Sequence, residues 1–372
     1  MHRDWLFVRK IYPKHGIGFG MFCREVILSK TSVFSAVACD FSTTKPGAIA
    51  SKAIIGKNMR EGKLQSNVTN RYKPVILLTG CSSGIGFALV EKLYRTNKYN
   101  VVATVREKSV QAMREKFPEN DHFVFEVLDV TSQEQRAHLF KKIYERWHGV
   151  DILINNAGIS YRSVIEHMSD EEEIHQLSTN YLAPMALIRL ALPYMRSQGR
   201  GKIINISSVS GMLAMPTMAS YSASKHALEG ASESLWYEMR PLGINVSLVQ
   251  LGFVHSDSFE NVYYSRQSRA AENEGGPYSD YYHHITPFIA KMMSRSWTTP
   301  QKVATKILGL IQKENPPLRI PVTLDAVFFY YLRRWLPRRL FHPLLFWFLP
   351  NAKNWAKKYS KARRPKRLFD RI

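Results

Sequence analysis

Three scarcities narrow the class of this chain before any motif is considered. It holds only three cysteines in 372 residues, Cys23, Cys39 and Cys81, an odd number at no metal-ligand or disulfide spacing. A cysteine-held zinc site and a disulfide-stapled fold are therefore excluded, and a reducing compartment fits. No uncharged apolar run reaches the ~18 residues or more that a spanning helix requires. Acidic residues are few, 30 against 52 Lys and Arg, which gives a formal net charge of +22.

That charge sits at the ends. Residues 1–73 carry 13 Lys/Arg against 4 Asp/Glu and residues 331–372 carry 13 against 1, so +9 and +12 lie there and +1 remains for residues 74–330. A near-neutral middle with basic ends excludes a basic nucleic-acid groove and describes a catalytic domain with appendages. Hydrophobic residues make up 45% of the chain, ample for a core.

Residues 1–73 lack sustained periodicity, and their one apolar stretch, 33–39, is too short to span a bilayer. The segment is acid-poor, as a targeting peptide would be, but lacks an Arg-rich amphipathic helix; a start at Met59 is the other reading. It stands as an uninterpreted basic extension. Sequons occur at Asn67, Asn205 and Asn245, the last two in apolar runs that read as core strands and not as glycosylation sites.

From Pro74 onward, short apolar runs alternate with longer segments of helical period, the pattern of a parallel sheet covered by helices. It predicts strands at 75–79, 100–105, 122–128, 150–155, 201–207, 244–250 and 318–322. Helices are predicted near 84–96, 131–147, 171–197, 219–240 and 299–313. The fold class is α/β, a doubly wound Rossmann-type sheet over 74–323, followed by an amphipathic appendage over 324–372.

Between the first strand and first helix, TGCSSGIG at 79–86 places Gly80, Gly84 and Gly86 in the turn. Glycines there let the backbone approach a pyrophosphate, and the helix N-terminus offers amide donors and a positive dipole end. At the end of the second strand, where a carboxylate would bind the ribose of NAD, stand Thr104, Val105 and Arg106. A guanidinium pairs with a 2′-phosphate, which favours NADP(H) over NAD(H); the other reading of Arg106 is a solvated surface charge.

Tyr221 and Lys225 share one helical face, and Ser208 lies thirteen residues upstream at a strand end. A cation beside a phenol favours the phenolate and lowers a pKa of about 10, so Tyr221 acts as acid or base while Ser208 donates to a substrate oxygen. Ser207 is the competing hydroxyl.

With TGCSSGIG, LDVT at 128–131, NNAG at 155–158, Asn180, INISS at 204–208 and YSASK at 221–225 in order, the chain resembles the short-chain dehydrogenase/reductase family from Pro74 to about Val322. The resemblance implies a seven-stranded sheet, a nicotinamide cofactor and interconversion of alcohols and carbonyls. Asn180, Ser208, Tyr221 and Lys225 match the family's catalytic tetrad, with Ser208 and Tyr221 also touching substrate. Lys225 would lower the Tyr221 pKa and hold the nicotinamide ribose, and Asn180 would support a proton-relaying water. Cofactor contacts are implied for Gly80, Ser82, Ser83, Gly84, Ile85, Gly86, Arg106, Asp129, Val130, Asn156, Ala157, Gly158, Tyr221, Lys225, Val254 and Ser256. Asp129, Val130 and the NNAG residues have an equally good structural reading. One departure stands out: Leu251 replaces the proline that usually precedes Gly252, and Ser256 replaces a threonine, which predicts a looser loop. A homodimer or homotetramer is expected by analogy.

Residues 253–297, the substrate-covering loop of the family, contain Phe253, Phe259, Tyr263, Tyr264, Tyr278, Tyr281, Tyr282, Phe288 and Trp297, opposite Met212, Leu213, Met215 and Met218. An aromatic lid over a Met-rich wall fits a bulky apolar substrate of steroid, retinoid or acyl type; simple packing is the alternative. His283 and His284 lack metal-ligand company. The stretch 326–350 is aromatic and is broken by the pairs Arg333–Arg334 and Arg338–Arg339 and by three prolines, and a basic tail follows it. Lying in a membrane interface suits this pattern, with Trp335 and Trp347 entering the headgroup boundary; a dimer helix or a cover for the substrate mouth are the rivals. The sequence predicts an oxidoreductase peripheral to a membrane and facing the cytosol. The alternatives from other classes are a nucleotide sensor and a membrane scaffold.

Overall fold

The structure, a computed structural model, describes residues 72–256, 262–274 and 276–357. The basic extension up to residue 71, Phe259 and the end of the tail lie outside the described residues. Seven parallel strands run β1 Val75–Leu78, β2 Asn100–Val105, β3 Phe123–Val127, β4 Ile152–Asn155, β5 Gly201–Ser208, β6 Ile244–Leu251 and β7 Arg319–Pro321. Their order is β3-β2-β1-β4-β5-β6-β7, and the reversal of strand order falls between β1 and β4. The helices are α1 Gly84–Thr96, α2 Glu107–Lys116, α3 Gln133–Trp147, α4 Asp170–Leu177, α5 Ala183–Ser197 and α6 Ala219–Met239. They continue with α7 Arg266–Glu274, α8 Ser279–Ser294, α9 Pro300–Gln312, α10 Leu324–Trp335 and α11 Arg338–Phe348.

All four residues of β1 are buried, as a central parallel strand covered on both faces requires. Its alternation sends Ile76 and Leu78 towards α1, α2 and α9, and Val75 and Leu77 towards α3, α5 and α6. The two resulting cores set the three layers. A third cluster joins Val209, Met212 and Leu213, just past Ser208, to Ala326 and Phe341 of α10 and α11. Helices α10 and α11 therefore pack directly beside the end of β5.

Four local features differ from the sequence prediction. Helix α2 is absent from it because only Val110 and Met113 are buried among ten mostly charged or polar residues. The helix predicted over 171–197 is broken by a π-helical turn, Ser178–Leu182, that carries Asn180. The region 253–297 holds α7 and α8 instead of a plain loop, and β7 spans three residues instead of five. Asn205 is fully buried, bonded to Asn155 and Ser232, which is incompatible with a glycan in the folded protein.

Candidate active site

The carboxyl ends of β1, β4, β5 and β6 form one rim, the place where open α/β sheets take ligands. At β1 the glycine turn is closely packed. A Cβ on Gly86 would lie 2.1 Å from the Gly80 carbonyl oxygen and 2.7 Å from Asn156 Nδ2. That amide donates to the carbonyls of Thr79 and Gly80, both at 2.9 Å, and Ala157 closes against Gly80. Asn156 and Ala157 thus shape the turn from below. On its outer side Ser82 and Ser83 are exposed, Ser83 makes no capping bond to α1, and nothing lies within 4 Å of a Cβ on Gly84. Uncapped first-turn amides under an open glycine fit a dinucleotide diphosphate. Ile85 packs inward on the core. Gly86→Ala forces the turn apart at an overpacking cost of about 1–3 kcal/mol. Titration of NADPH fluorescence is expected to show roughly tenfold or greater loss of affinity; unchanged affinity would contradict the role of this turn.

Arg106 is exposed at the end of β2. Asp129 faces the same edge: burial opposes its ionisation, but hydrogen bonds from the Thr131 hydroxyl and N–H, with the charges of His175 and Arg106, hold its carboxyl below the ordinary range. Its carboxylate closes a local turn, and Val130 is buried beneath it. These two residues shape the rim as well as bordering it.

Ser208 ends β5 half-buried, while Ser207, one residue earlier and so on the opposite face, is buried with its hydroxyl unpartnered. Strand alternation thus selects Ser208. Tyr221 and Lys225 rise one turn apart on α6, the ammonium 5.8 Å from the phenol ring centre. Burial holds the Tyr221 phenol above its ordinary value, against the lowering that its bond with Ser208 and the charge of Arg162 produce. This corrects the expectation that Lys225 lowers it. Lys225 donates instead to the Ile206 carbonyl at 2.9 Å, and burial pushes its own pKa down to about 8 although Glu229 raises it. Asn180 is 1% exposed and grips the N–H and the carbonyl of Ile159, both at 2.9 Å. A Cβ on Gly158 would sit 3.3 Å from Asn180 Oδ1 and 3.8 Å from Lys225 Nζ, so both side chains converge on the end of NNAG.

Sequence reasoning missed Arg162 and Glu229. Arg162 is buried on a segment that bonds to Thr217 on one side and Tyr263 on the other, and a lone Arg in a loop carries no pattern. Glu229 is 6% exposed, held by Gln250 at 3.0 Å and Arg319 at 3.1 Å; its i,i+4 spacing from Lys225 was the available signal.

A cleft of about 450 Å³ opens beside the start of α6, lined by Met215, Pro216, Thr217, Ala219, Tyr278 and Tyr281 and by Val164 to Glu166. Met215, Tyr278 and Tyr281 thus line one cleft. Other lid and wall residues have different places. Tyr282 is a core residue bonded to Val164 and His167, Met212 and Leu213 are buried under the C-terminal helices, and Trp297 is 82% exposed. His283 pairs with Ser279, His284 meets Asn351, and no metal-ligand cluster occurs among the described residues. The start of the loop after β6, residues 252–256, is fastened despite Leu251: the Phe253 N–H is held by Asp325, Val254 is buried in the core, and Ser256 is half-buried.

A glycine turn at a switch point, with Ser208 at the end of β5 and Tyr221 and Lys225 on α6, fits a nicotinamide-dependent oxidoreductase acting on CH–OH groups. The short chain dehydrogenase family pattern matches residues 74–267, and the chain belongs to the short-chain dehydrogenase/reductase family. It is 35% identical to the uncharacterized oxidoreductase YusZ of Bacillus subtilis over 67% of this chain and 89% of that one. It is 33% identical to a 3-ketodihydrosphingosine reductase of Bacteroides thetaiotaomicron, over 71% of this chain and 93% of the relative. The crystal structure of a short-chain dehydrogenase from Streptomyces avermitilis superposes with a TM-score of 0.62 at 30% identity, covering 74% of this chain and 97% of that one.

Proposed function

We propose that the protein is an NADP(H)-preferring reductase of lipophilic carbonyls that works at the cytosolic face of a membrane. The observation that carries the substrate class is the cleft, which Met215, Tyr278 and Tyr281 line together with Ala219, two residues before Tyr221 on α6. The relative named as a 3-ketodihydrosphingosine reductase supports a ketone on an alkyl chain. Bound nicotinamide cofactor supplies hydride. Ser208 donates a hydrogen bond to the substrate oxygen, where negative charge develops. Tyr221, kept protonated by burial, delivers its proton to that oxygen. The charge of Arg162 and the bond with Ser208 stabilise the phenolate that remains, and Asn180 holds the Ile159 backbone beside Lys225. Exposed Arg106 favours the 2′-phosphate of NADP(H).

Membrane contact is supported by the outer face of α10 and α11, where Phe328, Tyr331, Trp335, Leu340, Phe346 and Trp347 are exposed. Arg333, Arg334 and Arg339 flank them, a composition that suits anionic headgroups. No helix among the described residues is long and apolar enough to cross a membrane, and the contact we propose is one in the interface plane. The test is NADPH oxidation across steroid, retinoid and keto-acyl carbonyls, with and without anionic vesicles. Turnover on a long-chain or polycyclic carbonyl, faster with vesicles, is expected; turnover confined to small polar carbonyls would overturn the substrate class.

A further inference from the structure

The loop that leaves β6 is fastened by the first turn of α10. Leu251, the last residue of β6, pairs in register with Ser208, so Gly252 and Phe253 emerge on the rim beside the catalytic hydroxyl. The neighbouring ladder ends one residue earlier, at Gln250 opposite Pro321, and leaves these backbone groups without a strand partner. Side chains take its place. Thr323 Oγ1 accepts the Gly252 N–H at 2.9 Å, and Asp325 Oδ2 accepts the Phe253 N–H at 2.9 Å. From the opposite side Ser296 Oγ donates to the Phe253 carbonyl at 2.6 Å, and the His255 N–H donates to the Thr298 carbonyl at 2.8 Å.

The approach is close enough to dictate sequence. A Cβ on Gly252 would lie 1.8 Å from Asp325 Oδ2, so only glycine admits the carboxylate. Thr323 Oγ1 also accepts the Ala326 N–H at 3.2 Å, so one hydroxyl caps α10 and holds the loop. The inner side of the same helix buries Ala326 against Val209, Met212 and Leu213, the residues that follow Ser208. Helix α10 therefore fixes two neighbours of Ser208, one on each of two adjacent strands.

We infer that Asp325 and Thr323 are positioning residues for the reaction: they clamp Gly252 and Phe253 at the rim and so fix the wall beside Ser208 against which the nicotinamide half of the cofactor binds. The inference rests on the functional reading above and assigns the C-terminal segment a part in the active site that is separate from membrane contact. A backbone N–H held by a carboxylate is among the stronger protein hydrogen bonds, and without it the loop gains freedom that binding must then remove.

Calorimetric titration of the full-length protein with NADPH and with 2′-phospho-ADP-ribose, which lacks only the nicotinamide ring, separates this role from general stability. Asp325→Ala is expected to weaken NADPH about tenfold and to leave 2′-phospho-ADP-ribose unchanged. Asp325→Asn, whose amide oxygen accepts the same N–H, restores most of the loss. Thr323→Val, which keeps the volume and removes both the bond to Gly252 and the cap on Ala326, shows the same selectivity at roughly threefold. NADPH affinity unchanged in Asp325→Ala, or both ligands weakened equally, would overturn the inference alone. Wild-type protein that binds neither nucleotide overturns the functional reading beneath it.

Discussion

Replacing Tyr221 with phenylalanine is expected to lower kcat by about 10²–10⁴-fold while NADPH affinity stays within twofold of wild type. The reason is the single atom removed. Burial keeps this phenol protonated at neutral pH, and its bond with Ser208 and the charge of Arg162 favour the anion left after transfer. Phenylalanine preserves the ring and its packing, so the helix that carries Lys225 keeps its place, but no proton remains to deliver. Steady-state NADPH oxidation together with a fluorescence titration checks both halves. Full turnover in the variant would move the proton source elsewhere, and a nucleotide sensor would show no change in its function.

Lys225→Met is expected to do two opposite things. Turnover falls by a factor of ~10² or more, because the ammonium 5.8 Å from the Tyr221 ring is gone. Stability of the nucleotide-free protein at pH 7, by contrast, rises. The pKa of Lys225 is pushed by burial from 10.5 to about 8. Between these values the unfolded chain binds the proton more tightly, so wild-type stability climbs as pH rises through that window. Below about pH 8 the full penalty is present, on the order of 3 kcal/mol before the lost bond to Ile206 is subtracted. Thermal melts should therefore show the variant above wild type at pH 7, with the gap closing between pH 8 and pH 10.5. A gap that is constant with pH would mean that Lys225 is not strained by its burial.

Much of this site is legible in the sequence because its residues are held by local rules. Glycines at 80, 84 and 86 read as a tight turn, and strand alternation separates Ser208 from Ser207. A four-residue helical step pairs Tyr221 with Lys225. What escaped has a common cause, which is dependence on distant chain. Asp325 meets Phe253 across 72 positions and Tyr282 meets Val164 across 118, so neither Asp325 nor the inward turn of Tyr282 has a local signature. Helix α2 escaped for the opposite reason, since it buries too little to print a period. The charge balance around Tyr221 escaped as well: adjacency to Lys225 was readable, but the burial that dominates its titration and the arrival of Arg162 are tertiary facts.

The most direct test of the central claim follows deuterium from NADPH labelled at the transferable C4 position into product, with a long-chain ketone presented in anionic vesicles. Wild-type protein is predicted to place one deuterium on the carbinol carbon in each turnover, and Tyr221→Phe to place almost none under identical nucleotide saturation. Nucleotide binding without deuterium transfer to any carbonyl by the wild-type protein would contradict the account.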